Sequence, residues 1–148
     1  MTLAPIPAAA RRRRDFARLA GAASLAMAFT LAGGASLAQA GPPSVSLDDA
    51  RAEHEAGRAI LIDIREPAEH ATGVAAKAKL LPMRQIGARI AELPTDPTLP
   101  VLLICNTQNR SRATAAALRE RGYTQVRFVD GGMSEWARRG WPMVKPAP

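Results

Sequence analysis

Val101-Leu102-Leu103-Ile104-Cys105-Asn106-Thr107-Gln108-Asn109-Arg110-Ser111-Arg112-Ala113-Thr114-Ala115-Ala116-Ala117-Leu118 is the stretch that decides the fold. Its first four residues are apolar without alternation. A strand of that kind is buried on both faces, which is the character of a parallel sheet. Ser111 to Leu118 is rich in alanine and predicts a helix that ends at Gly122. Between strand and helix lies a polar loop, Cys105 to Arg110.

The same alternation extends in both directions. Upstream, Gly41-Pro42-Pro43 reads as a short linker, and Ser46 as an N-cap with Asp49 three residues on, opening a helix that runs to about Ala56 and stops at Gly57. Ala59 to Ile64 is a second apolar, β-branched run and predicts another buried strand. Pro67 suits the first turn of a short helix ending by Gly73. Leu80-Leu81 predicts a brief strand. Ile86, Ile90 and Leu93 stand at helical spacing before the stop at Pro94. Downstream, Val126 to Val129 predicts a strand, Gly131-Gly132 a turn, and Met133 to Arg139 a last short helix. Strand and helix alternate throughout, so the expected class is α/β with a mainly parallel sheet covered on both sides.

The 148 residues carry a formal charge of +7, but unevenly: residues 1–40 hold five Arg against one Asp, and the remainder 15 basic against 12 acidic residues. The later surplus is scattered, with no basic stripe interleaved with aromatics, which argues against nucleic acid as a partner. The start reads as an address. Arg11 to Arg14 form a charged region, Leu19 to Leu37 is apolar, and Ala38-Gln39-Ala40 offers a cleavage site that would leave Gly41 as the mature start. Arg13-Arg14-Asp15-Phe16-Ala17-Arg18 is similar to a twin-arginine export signal. The expectation is a periplasmic protein with an export signal at 1–40 and one domain at 41–148. The alternative is a retained membrane anchor, since about 20 apolar residues span a bilayer; an uncleaved signal is the one membrane contact foreseen.

The expected mature chain of about 108 residues has a single cysteine and therefore no internal disulfide. In open α/β sheets ligands bind outside the carboxyl ends of the strands, where Cys105 stands. A short loop there can turn its N–H groups inward as an anion cradle, reinforced by the helix that follows. Such surroundings favour the thiolate, the nucleophilic form. Arg110 and Arg112 add positive charge, and Asn106, Thr107, Gln108 and Asn109 add polar groups without negative charge. The alternative is an inert buried thiol.

Cys105, four residues, then Arg110-Ser111 resembles the active-site loop of the rhodanese family. Leu61-Ile62-Asp63-Ile64-Arg65-Glu66-Pro67-Ala68-Glu69-His70 with Gly73 is similar to that family's opening signature. Gly122-Tyr123, Val126, Gly131-Gly132-Met133-Ser134-Glu135-Trp136 and Gly140-Trp141-Pro142 resemble its closing one. The three blocks stand in the family's order across residues 45–145. In size and address the chain is similar to the small exported phage-shock type. The resemblance implies a single rhodanese-like domain with a mainly parallel, five-stranded sheet flanked by helices on both faces. It implies a thiosulfate sulfurtransferase-like enzyme in which Cys105 takes sulfane sulfur as a persulfide and passes it on in a ping-pong scheme. Its partners would be a small anionic sulfur donor and a thiophilic acceptor such as cyanide, a thiol or a protein. Asn106, Thr107, Gln108, Asn109, Arg110 and Ser111 would bind the donor, and no cofactor is called for.

Two departures from the family pattern carry expectations. Gln108 stands where the family often has Gly, which predicts an altered or strained cradle. After Gly73 the family usually shows His-Ile-Pro-Gly-Ala, whereas this chain has Val74-Ala75-Ala76-Lys77-Ala78, which predicts a local irregularity. Two other functions stay open: a non-catalytic rhodanese-like module, and a phosphatase or arsenate reductase, whose Cys–Arg loops enclose one residue more. Asp63 and Arg65 read as an internal ion pair, Trp136 and Trp141 as packing, and Arg138-Arg139 as a solvated face. His54 and His70 lack any cluster with metal-ligand spacing.

Overall fold

Parallel pairing organises the chain, which a computed structural model describes over residues 41–146. The export signal expected at residues 1–40 lies outside the described residues. The elements are β1 Ser44–Val45, α1 Leu47–Glu55, β2 Ile60–Asp63, α2 Pro67–His70, β3 Lys79–Leu80, β4 Val101–Ile104, α3 Asn109–Glu120, β5 Val126–Val129 and α4 Gly132–Arg138. The five strands form one sheet in the order β1-β5-β4-β2-β3, and every neighbouring pair is parallel. This is the α/β architecture expected, with five strands and helices on both faces.

The period of two along β4 shows why its residues are apolar throughout. Val101 and Leu103, with Cys105 just beyond, pack with Ala115 and Leu118 of α3 on one face of the sheet. Leu102 and Ile104 pack with Leu47 and Ala50 of α1 and with Met133 and Trp136 of α4 on the other. All four β4 residues are fully buried, and each such side chain contributes about 1.5–3 kcal/mol of hydrophobic stabilisation. Trp136 and Trp141 meet edge to face at 5.0 Å, and Trp136 Nε1–H donates to the Pro142 carbonyl. Both therefore pack the last helix. Arg138 and Arg139 are exposed and paired with Glu135.

Local rules account for most element ends. Ser46 Oγ accepts from the Asp49 amide at 3.1 Å and starts α1. Glu66 and Glu69 form a reciprocal capping box around Pro67 and start α2. Several expectations need correction. The segment following the Pro-Pro linker is the edge strand β1, held by pairing with β5; two residues are too short to carry a period. The Ile86–Ile90–Leu93 spacing does not make an α-helix. Met83–Gln85 and Ile90–Glu92 are separate 3₁₀ turns, in a stretch confined between Pro82 and Pro94 with Gly87 inside it, where a continuous helix is costly. Ile86 and Leu93 are buried all the same. Finally, α3 begins at Asn109, so the loop after β4 is two residues shorter than expected and Asn109 and Arg110 belong to the helix's first turn.

The irregularity expected after Gly73 falls on Lys77. It has φ +61° and is the non-glycine residue of positive φ among those described, at the position where the family pattern has Gly. Val74 meanwhile bridges to Val144 in both directions, at 2.9 and 2.8 Å, which ties this segment to the chain's C-terminal stretch.

Candidate active site

The strand order places a crevice at one point on the sheet. β2 is followed outward by β3, whereas β4 is followed by β5 on the opposite side. The segments leaving the carboxyl ends of β2 and β4 therefore diverge, and such a switch point is where open α/β sheets bind ligands. Cys105 is the first residue beyond β4 and is 1 % exposed. Glu66 and α2 follow β2 on the facing side.

The loop after β4 has its carbonyls on one side. The Cys105 carbonyl accepts from the Met133 amide at 2.8 Å, and the Asn106 carbonyl from the Ser134 amide at 2.9 Å. In a planar trans peptide N–H and C=O point in opposite directions. With those carbonyls turned to the start of α4, the amides of Asn106 and Thr107 point away from it. None of the amides of Asn106, Thr107, Gln108, Asn109 and Arg110 has a partner among the described residues, while the Ser111 amide donates to Cys105 Sγ at 3.4 Å. Ser111 Oγ lies 3.5 Å from the same sulfur and donates to the Gln108 carbonyl at 3.1 Å. A row of unpartnered N–H groups ending at the first turn of a 12-residue helix is a site for negative charge.

Gly132 makes this arrangement possible. Its φ is +63°, and a Cβ there would stand 2.2 Å from the Thr107 carbonyl oxygen, 2.5 Å from that of Cys105 and 2.7 Å from that of Asn106. No side chain fits at such distances. The sequence signalled a turn at Gly131-Gly132 but not that the second glycine lets α4 seat against the loop.

Arg110 is not a free cation at the end of an exposed loop. Its Nη1 and Nη2 donate to Glu69 Oε2 and Oε1 at 2.8 and 2.6 Å, in a half-buried bidentate pair. The Arg110 guanidinium holds the Glu69 carboxyl down at about 2, against the opposing effect of burial. In return Glu69, and to a smaller extent the Cys105 sulfur, hold Arg110 above the ordinary arginine value. Glu69 is thus a site residue that sequence reasoning missed; its place in the opening signature was the available signal.

Beneath Glu69 lies the ion pair expected from Asp63 and Arg65. Both are buried, with Arg65 Nη2 on Asp63 Oδ2 at 2.6 Å and Nε on both carboxylate oxygens at 3.0 Å. Arg65 also donates to the carbonyls of Gly73 at 2.7 Å and Glu69 at 3.3 Å, so it anchors α2 to the sheet. His70 is buried with its Nε2 3.5 Å from Asp63 Oδ1 and without a hydrogen-bond partner. Arg112 does not reach the loop; its guanidinium lies over the Phe128 ring at 5.0 Å.

Gln108 departs from expectation in a useful way. Its φ is −156°, so the backbone makes no left-handed demand and the expected strain is absent. The side chain instead reaches Gly131, whose amide donates to Gln108 Oε1 at 2.8 Å.

Comparison with known proteins bears on this geometry. Residues 46–139 match the profile of the rhodanese-like domain. A sulfurtransferase of Allochromatium vinosum is 41 % identical over 87 residues, which cover 59 % of this chain and 79 % of that protein. The human single-domain sulfurtransferase is 25 % identical with a TM-score of 0.59, covering 67 % of this chain and 98 % of that one. A rhodanese-related protein from Thermoplasma volcanium superimposes with a TM-score of 0.61 at 24 % identity, over 70 % of this chain and 99 % of that one, and so shares the fold. The chain belongs to the rhodanese-like domain family and, within it, to the sulfurtransferases.

Proposed function

We propose that this protein transfers sulfane sulfur through a persulfide on Cys105. One observation carries the reading: the only cysteine heads a loop whose next five amides have no partner among the described residues, and a sixth amide, from Ser111, meets its sulfur. Thiolate is the protein group that both attacks sulfur well and leaves well from it, and this chain has one to offer.

With thiosulfate as donor, Sγ attacks the outer sulfur. The new Sγ–S bond forms as the sulfur–sulfur bond of the donor breaks, and sulfite leaves with the electron pair. In the second step a thiophilic acceptor such as cyanide attacks the terminal sulfur. The Sγ–S bond breaks, its electrons return to Sγ as thiolate, and thiocyanate departs. No net redox equivalent or cofactor is consumed. Asn106 to Arg110 and Ser111 supply donors aimed at charge on the thiosulfate, the persulfide and the departing sulfite, as an oxyanion hole does. A thiol or protein acceptor would follow the same second step. The four-residue spacing between Cys105 and Arg110 favours this reading over phosphate-ester chemistry.

Intact-mass measurement after thiosulfate treatment tests the proposal: a gain of about 32 Da, lost again on adding cyanide, is the expected result. Absence of that adduct across several donors would leave a non-catalytic module. We further propose that residues 1–40 direct export and are removed after Ala40. Replacing Arg13 and Arg14 with Lys should then hold the precursor in the cytoplasm, and unchanged export would remove the twin-arginine reading.

A further inference from the structure

Three contacts join the start of α4 to the loop that carries Cys105. Two are backbone bonds, from Met133 to the Cys105 carbonyl and from Ser134 to the Asn106 carbonyl. They hold the beginning of the loop. The third holds its end, and it is made by a side chain: Gly131 N–H to Gln108 Oε1 at 2.8 Å, between residues 23 apart in sequence. A glycine at position 108 offers no such acceptor. The clasp is therefore a device of this chain and not of the loop pattern.

Its neighbours show what it constrains. Gln108 is the residue before α3, and its own carbonyl accepts from Arg112 N–H at 2.8 Å and from Ser111 Oγ at 3.1 Å. Ser111 is the residue whose amide meets Cys105 Sγ. The peptide on the far side of Gln108 is confined too, because the Thr107 carbonyl oxygen already occupies the space where a Gly132 Cβ would stand. Residue 108 is thus held through its carbonyl, its side chain and the peptide before it. Cys105, at the other end of this loop, is 1 % exposed.

We infer that Gln108 is a positioning residue that holds the loop closed on Cys105 and selects small sulfur donors over bulky ones. The inference rests on the sulfur-transfer reading above, and it places selectivity in the Gln108–Gly131 contact. The Gln108 side chain acts through the amides it positions, that of residue 108 among them, and need not itself touch the donor. Preorganised donors lose effect when their geometry loosens, and a looser mouth is a smaller penalty to a large substrate than to a small one.

The test compares wild type with Gln108→Met, which keeps the length but removes the acceptor, and with Gln108→Gly. Circular dichroism checks the fold, which a half-buried loop side chain does not decide. The Gly131 amide is followed by hydrogen exchange in two-dimensional NMR. Thiosulfate and a bulky arenethiosulfonate are then compared by kcat/KM and by amide-shift titration. In both variants the Gly131 amide should exchange about tenfold faster or more. The preference for thiosulfate over the arenethiosulfonate should fall about tenfold, through KM rather than kcat, with the titrated Kd ratio moving in parallel. A donor ratio within twofold of wild type despite faster Gly131 exchange would reduce the clasp to a structural contact and overturn the inference. Unchanged Gly131 exchange would overturn it as well. If wild type forms no persulfide, the sulfur-transfer reading fails separately, and the Kd ratio still decides whether Gln108 selects by size.

Discussion

Glu69 grips Arg110 through both carboxylate oxygens, at 2.8 and 2.6 Å, across 41 residues of sequence. The contact joins the helix after β2 to the first turn of the helix after β4, so it spans the crevice at the switch point of the sheet. It also neutralises the guanidinium's charge locally. In the sulfur transfer proposed above, attraction for an anionic donor would then come from the loop amides and the first turn of α3 more than from a bare arginine.

That balance predicts an asymmetric double-mutant cycle. Arg110→Ala removes a charge-assisted contact worth roughly 1.5–3 kcal/mol and leaves the Glu69 carboxylate unpaired beside the donor. We expect kcat/KM for thiosulfate to fall about ten- to hundredfold, with little change in melting temperature. Adding Glu69→Gln to that variant should restore about tenfold, because the repulsive charge is gone. Steady-state kinetics of the four proteins measure the coupling. Equal activity of the single and double variants would show that Glu69 exerts no field on the donor.

The same pair sets a pH dependence. Arg110 lowers the Glu69 carboxyl from its ordinary value of 4.5 to about 2. A carboxyl depressed on folding stabilises the native state where it is ionised in both states, and that contribution is lost as pH falls through the folded value. The melting-temperature gap between wild type and Glu69→Gln should be constant above pH 4.5 and should close between pH 4.5 and about 2. Both groups are about one-third exposed, so solvent screening keeps the gap small. A gap that is unchanged at the acid end would assign the stabilisation to packing instead.

Cys105→Ser should fold and not turn over. The thiol is buried against Ser111, and a hydroxyl is close to it in size, so native-like circular dichroism is expected. A serine hydroxyl is a poor nucleophile toward sulfur and a poor leaving group from it, so thiocyanate formation from thiosulfate and cyanide should drop to background. Turnover well above background in the variant would transfer the chemistry to another residue.

Lys77→Gly should raise stability. Lys77 is exposed with φ +61°, a conformation that costs an L-residue roughly 1–2 kcal/mol. The greater freedom of unfolded Gly offsets about 0.5–1 kcal/mol of the relief. A net gain of about 0.5–1 kcal/mol remains, which amounts to a few degrees in melting temperature for a domain of about this size. Lys77→Ala keeps the Cβ and should gain nothing, so the two variants compared by thermal melting isolate the backbone effect.

The alternation of β2, β4 and β5 with α1, α3 and α4 was legible in the chain, because burial on two faces demands unbroken apolar runs such as Val101 to Ile104. The position of Cys105 at a strand end followed from the same run. The cap of Ser46 with Asp49 was legible too, as a local hydrogen bond between residues three apart, and so was Pro67 in the first turn of α2. Contacts between distant segments were not legible, since nothing in their own neighbourhoods records them. Ile86, Ile90 and Leu93 carry a helical spacing, yet their backbone is set by flanking prolines and by packing against the sheet. Glu69 reads as an ordinary surface carboxylate until the sheet order brings it to Arg110. Gly132 reads as half of a turn until three carbonyl oxygens crowd the place of its missing Cβ. Gln108 reads as a substitution that strains the loop until its side chain meets Gly131. Local propensity and periodicity determined the elements; the parallel crossings alone decided which side chains and amides stand together around the sulfur.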